Sequence, residues 1–144
     1  MSAPIALRAV ACLRVEVVPP LSLGELDGLE RRVVTIAGGT VEGPHFRGII
    51  LPGGSDMQTV QADGTINLVA RYVLELADFG KVLVENTGIR RAPAADAAEA
   101  PPYFRGVMRF QAPRGPLGWL NQSVFITSGK RDGSTVQIDV AQVL

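Results

Sequence analysis

Asp56 follows Pro52-Gly53-Gly54-Ser55, a turn by its chemistry, and loops held on a rigid scaffold are where proteins present catalytic groups. A carboxyl placed there serves as a general acid or base in a dry setting, or only caps the turn by bonding its own loop backbone. His45, the sole histidine, comes after Gly43-Pro44; it is either a second proton-transfer group near neutral pH or a hydrogen-bonded turn residue. Arg71 lies between Val69 and Val73, and a guanidinium with apolar neighbours needs a carboxylate or an anionic ligand for its donors. An internal ion pair with Glu75, Glu85 or Asp139 would meet that need as well. Tyr103, Arg105, Val107 and Arg109 share one strand face, opposite Phe104, Gly106, Met108 and Phe110. One face is thus cationic and the other an apolar wall, which suits an aromatic or carboxylate-bearing molecule or, equally, a solvated face over a core. Trp119-Leu120-Asn121 sets a large aromatic beside an amide just before a strand, able to grip a planar ligand or to plug a barrel end.

Other chemistries lack their residues. One histidine and one cysteine, Cys12, give no zinc cluster and no disulfide framework, so we expect neither a metal site nor a cofactor. The Gly-Gly pairs are not followed by Gly-Lys-Ser/Thr or by a helix, so they are turns and not phosphate cradles. Lys+Arg 14 balances Asp+Glu 14, which removes the basic footprint that nucleic-acid binding requires. Arg8 and Arg14 interrupt the apolar start of the chain before a signal-peptide core forms, and no run is long enough to span a bilayer. A cytoplasmic protein is the expectation.

The elements that must position these residues read as strands. At 144 residues the chain is the size of a single domain, 1–144, able to bury a core unaided. Apolar residues alternate with period two, are rich in β-branched types and are punctuated by turn residues. Strands are expected at 5–18, 32–37, 46–51, 57–61, 66–76, 82–85, 104–111, 122–128 and 135–143, with an irregular connection at 21–29. Gly38-Gly39 is expected to end the second in a bend. Asp63-Gly64 and Lys130-Arg131-Asp132-Gly133 are hairpin turns. Residues 92–102 contain only Ala, Pro, Asp and Glu, which cannot build core and leave that loop as the one segment suited to be a lid. The class is all-β, a single antiparallel meander closed into a small barrel of about eight or nine strands, closure being how such sheets remove their edges. Both faces of the 66–76 strand are half apolar, which fits a barrel wall with a pocket inside or a partner subunit outside.

Gly38-Gly39-Thr40-Val41-Glu42-Gly43-Pro44, Leu51-Pro52-Gly53-Gly54-Ser55-Asp56, Asp63-Gly64, Ala70-Arg71-Tyr72, Tyr103-Phe104-Arg105 and Trp119-Leu120-Asn121, in that order, resemble the family named domain of unknown function 3237, or uncharacterised protein family 0311. The resemblance runs from about Arg32 to the C-terminus. It implies a small calycin-like antiparallel barrel, frequently a homodimer, with no generally assigned activity. It also implies departures at Met57, Val69 and Phe79, where the family tends to carry Trp, Asp and Asp, and at Gly106 and Met108, where Thr and Pro are more frequent. An aspartate missing at Val69 would leave Arg71 freer to meet a ligand anion.

Together these residues lead to a cofactor-independent enzyme doing acid–base chemistry (isomerisation, cyclisation, elimination or addition) on a small apolar or aromatic substrate. Asp56 or His45 would be the base. Arg71, Tyr103 and Asn121 would stabilise oxyanion charge, and Met57, Val69, Arg105, Met108 and Trp119 would shape the pocket. The rival is a barrel that binds a hydrophobic ligand without turnover, or a structural homodimer.

Overall fold

Pro19 and Pro20 stop the first strand because neither can donate to a ladder, and the following short runs of β-branched residues divide at Gly and Asp turns. The computed structural model describes residues 3–144. Its strands are β1 (Leu7–Val17), β2 (Leu21–Leu26), β3 (Leu29–Glu42), β4 (Gly48–Ile50), β5 (Ser55–Val60), β6 (Ile66–Leu76), β7 (Gly80–Arg91), β8 (Tyr103–Gln111), β9 (Val124–Asp132) and β10 (Thr135–Val143). Single 3-10 turns lie at Ala95–Ala97 and Gly118–Gln122. No helix among the described residues is long and apolar enough to cross a membrane.

β6 to β10 form an antiparallel meander, β10 pairs with β1, and β1 pairs with β3 to close an eight-stranded barrel. The place between β3 and β6 is filled twice, by β4 against Gly39–Val41 and by β5 against Glu30–Thr35. β2 stands outside this ring, as a hairpin on β3. Leu21–Leu26 is thus a strand and not an irregular connection. Its side chains are all exposed and it pairs along one edge only, so no burial pattern announces it.

Gly38 and Gly39 do not end their strand. β3 continues through them at φ +151° and +144°, and the bend carries it from β5 to the β1 and β4 pairings. The 82–85 strand likewise extends to Gly80–Arg91, paired with β6 along its full length.

Alternation sends Leu13, Ile36, Leu74, Val84, Met108 and Phe125 inward, where they are fully buried. The two barrel ends differ. At one, Phe46, Leu117 and Leu120 form a plug, with Phe110 and Phe125 stacked edge to face at 4.8 Å. At the other, β3, β6, β8 and β10 begin and β5, β7 and β9 end, and there the inward side chains become polar.

Candidate functional site

Asp56 pairs across the sheet with Val34 on β3 and Ala70 on β6, both buried, so its side chain shares their inward face. Two residues on, Gln58 faces inward opposite Arg32 and Leu68. The three polar side chains form a chain: Arg32 Nη2 donates to Gln58 Oε1 at 3.0 Å, and Gln58 Nε2 donates to Asp56 Oδ2 at 2.9 Å. Asp56 Oδ1, Arg32 Nε and Tyr72 Oη are buried with no hydrogen-bond partner among the described residues. A buried polar atom without a partner costs about 1–3 kcal/mol, so three beside one another need a reason.

For Asp56 and Tyr72 the reason is a cavity, which Arg32 does not line. Asp56, Tyr72, Asn86 and Phe104 line about 40 Å³ of interior space together with Ile36, Leu68, Ile138 and other apolar side chains. That volume admits a few non-hydrogen atoms and no whole metabolite. Burial pushes the Asp56 carboxyl above the usual aspartate value, against the lowering pull of the Gln58 hydrogen bond and of the Arg32 and Arg131 charges. Burial also raises the Tyr72 phenol, and an ionised Asp56 raises it further. The site therefore pairs a carboxyl that is reluctant to ionise with a phenol that stays protonated. Deeper in the wall, Thr127 Oγ1 donates to Asn86 Oδ1 at 3.1 Å. Gly106 lies between them, and a Cβ there would come within 2.6 Å of Asn86 Oδ1.

The other residues singled out from the sequence lie elsewhere. Arg71 faces outward, one position from the inward Tyr72, and its Nε bonds Glu85 Oε2 at 2.7 Å on the exposed wall. Tyr103 and Arg105 belong to the same outer surface, where the Arg91 and Arg105 guanidinium groups lie 4.4 and 5.5 Å from the Tyr103 ring. Met57 and Val69 are a cross-strand pair on that wall, so an aspartate at 69 would stand outside the cavity and not beside Asp56. Met108 points inward but is wholly enclosed in the core. His45 is exposed and meets Trp119 edge to face at 5.7 Å, at the plugged end of the barrel. Asn121 holds the chain at Ala112, accepting from its N–H at 2.8 Å and donating to its carbonyl at 2.9 Å. Asn121→Ala should cost about 1–2 kcal/mol by loss of both bonds, with ligand binding in the cavity unchanged; denaturant melts beside a binding titration check this. Among the described residues no three His, Cys, Asp or Glu side chains are placed to hold a metal ion.

Tyr72, Gln58, Arg32 and Asn86 escaped the sequence reading. For Tyr72, Arg32 and Asn86 the local signal is parity, each standing two residues from a buried apolar neighbour on its own strand, whereas β5 carries no buried residue to mark Gln58.

The family model described as protein of unknown function (DUF3237) matches residues 5–143. The chain belongs to the DUF3237 family. It is 37% identical over 133 residues to the UPF0311 protein blr7842 of Bradyrhizobium diazoefficiens, covering 86% of this chain and 87% of that one. The crystal structure of a beta-barrel like protein from Acinetobacter baumannii superposes with a TM-score of 0.93 at 31% identity, over 100% of this chain and 99% of that one. A third relative of this DUF3237 protein is the hydroalkoxylation enzyme phnH of Penicillium herquei, 33% identical over 66 residues, covering 46% of this chain and 44% of that one.

Proposed function

We propose that this DUF3237 barrel is a cofactor-independent enzyme that moves protons to and from carbon. Its reaction class is the addition of a hydroxyl across a carbon–carbon double bond, the reverse elimination, or a related cyclisation or isomerisation of a small, largely apolar substrate. The carrying observation is that the unbonded Asp56 Oδ1 and the unpartnered Tyr72 hydroxyl share a largely apolar cavity, with Asn86 its other polar side chain. A relative named for hydroalkoxylation supports the class.

One carboxyl suffices for an addition. Protonated Asp56 gives its proton to the alkene carbon, the hydroxyl oxygen bonds the neighbouring carbon, and the resulting carboxylate takes the hydroxyl proton. Bonds and charge balance and the enzyme is restored. A carboxyl held above its ordinary range is poised for both halves of that exchange. Tyr72 Oη, in the same cavity, would donate to the Asp56 carboxylate on which negative charge grows as the proton leaves, an interaction strengthened in a dry interior. Turnover of hydroxyl-bearing alkenes and enones in D2O, read by deuterium appearing on carbon, tests the proposal. Wild-type protein should label at least one neutral substrate, and Asp56→Asn should not. Labelling that survives Asp56→Asn, or ligand binding with no labelling across a broad panel, would favour the non-catalytic carrier.

The working unit we propose is a cytoplasmic homodimer. Leu23, Met57, Ile89 and Val107 are 60%, 48%, 44% and 45% exposed around one outer groove, an apolar strip of the kind that marks a protein contact. Light scattering should give a dimer for the wild type and a monomer for Ile89→Lys/Val107→Lys; a double variant that stays dimeric would place the interface elsewhere.

A further inference from the structure

At the barrel end opposite the Phe46, Leu117 and Leu120 plug, three arginines reach inward from three different strands. Arg32 on β3 has the inward parity of Val34 and Ile36, Arg90 on β7 that of Asn86, and Arg131 on β9 that of Phe125 and Thr127. Arg90 pairs across the sheet with Ile66 and Phe104, and its guanidinium lies 5.9 Å from the Phe104 ring centre. The three charges feel one another: burial and the positive charges of Arg131 and Arg32 all lower the proton affinity of Arg90.

Among the described residues this trio is short of counter-charge, with Glu30 the one carboxylate in ion-pair range of it. On the outer wall Arg71 has Glu85 and Lys81 has Glu75. At the arginine end Glu30 Oε1 comes only to 4.0 Å from Arg32 Nε, Arg131 Nε donates to the Gly133 carbonyl, and Arg90 has no hydrogen bond or ion pair among the described residues. Asp56 lies deeper, reached through Gln58, and its carboxyl resists ionisation. Guanidinium forks match carboxylates, and crowded cations with unused donors are stabilised by an anion between them.

We propose that the arginine rim binds the carboxylate of an amphipathic, aromatic-bearing substrate and so directs its apolar, reacting end to Asp56 and Tyr72. This rests on the proton-transfer reading of the cavity. The cavity is too small for more than a reacting end, so the rest of the molecule must lie across the mouth, where Phe104 supplies an aromatic wall beneath Arg90. Arg32 stands two residues from the pairing partner of Asp56, about 7 Å along the strand, which sets the spacing between carboxylate and reacting atom. The 92–102 segment joins β7 to β8 at this end.

The test titrates the full chain at pH 7 with benzoate and cinnamate, with their primary amides, and with inorganic phosphate, following the arginine Nε–H resonances by NMR. The carboxylates should bind at least tenfold more tightly than the amides or phosphate and should shift the Arg32 and Arg90 signals. Arg90→Gln and Arg131→Gln should each weaken carboxylate binding about fivefold and leave the amides unaffected. Equal affinity for acids and amides, phosphate binding as tight as the acids, or no binding of the carboxylates overturns the proposal, and the comparison in wild-type protein does not depend on any variant folding. Asp56→Asn should retain carboxylate binding, so a failure of proton transfer and a failure of anion recognition give different results.

Discussion

Asp56→Asn is expected to abolish turnover while making the protein more stable at neutral pH. The catalytic loss should be about 10²–10⁴-fold, the range general acid–base groups supply. The gain in stability follows from the direction of the shift. The folded state holds the Asp56 carboxyl above its unfolded value, so folding favours the protonated form. That contribution is fully present below the unfolded pKa and is lost as pH rises through the folded one. Asparagine keeps the acceptor for Gln58 and never ionises. The melting temperature of the variant should exceed that of the wild type at pH 7–8, and the gap should narrow as pH falls. A variant less stable than wild type at every pH would mean that Asp56 holds the barrel together and is not a strained, working group.

The second large effect lies in the seam that closes the barrel. Gly39 pairs with Val15 of β1 and with Ile50 of β4, at φ +144°. A Cβ at this position would overlap the Arg14 carbonyl oxygen, a backbone atom that cannot withdraw without parting β1 from β3. Gly39→Ala therefore faces a backbone conformation foreign to L side chains and a collision in the closing ladder. It should lose about 3–5 kcal/mol, a large share of the stability of a domain this size. Gly53→Ala provides the control: its φ of +107° is strained as well, but no atom lies within 4 Å of the added Cβ. Urea melts of the two should differ by about 2 kcal/mol or more; equal losses would assign the cost to dihedral strain alone.

The strands that make the wall were legible because each must put apolar residues on one face, and the turns because Gly and Asp are needed where the chain reverses. Asp56 was legible for the same reason, standing just after such a turn. Which face points inward was not. On β6, Val69 and Val73 lie outside while Leu68, Ala70 and Tyr72 lie inside, and both rows look alike in sequence. Arg71 consequently drew notice that belonged to its neighbour Tyr72. Arg32, Arg90 and Arg131 come from strands far apart in the chain, and only closure through β1 and β3 brings them to one mouth. Parity along each strand is the clue that would have found them: an arginine in step with the buried residues of its own strand has nowhere to go but in.

The proposed function requires the barrel interior to hold Asp56 as an acid poised to give and take a proton. Carbon-13 NMR titration of its side-chain carboxyl measures this without a substrate. The midpoint should lie above the ordinary aspartate value of about 3.9, in the opposite direction from Asp63, whose exposed carboxyl accepts the Thr65 backbone N–H and titrates low. An Asp56 midpoint at or below that ordinary value would show a solvated or ion-paired carboxylate, unfit to serve as the proton donor.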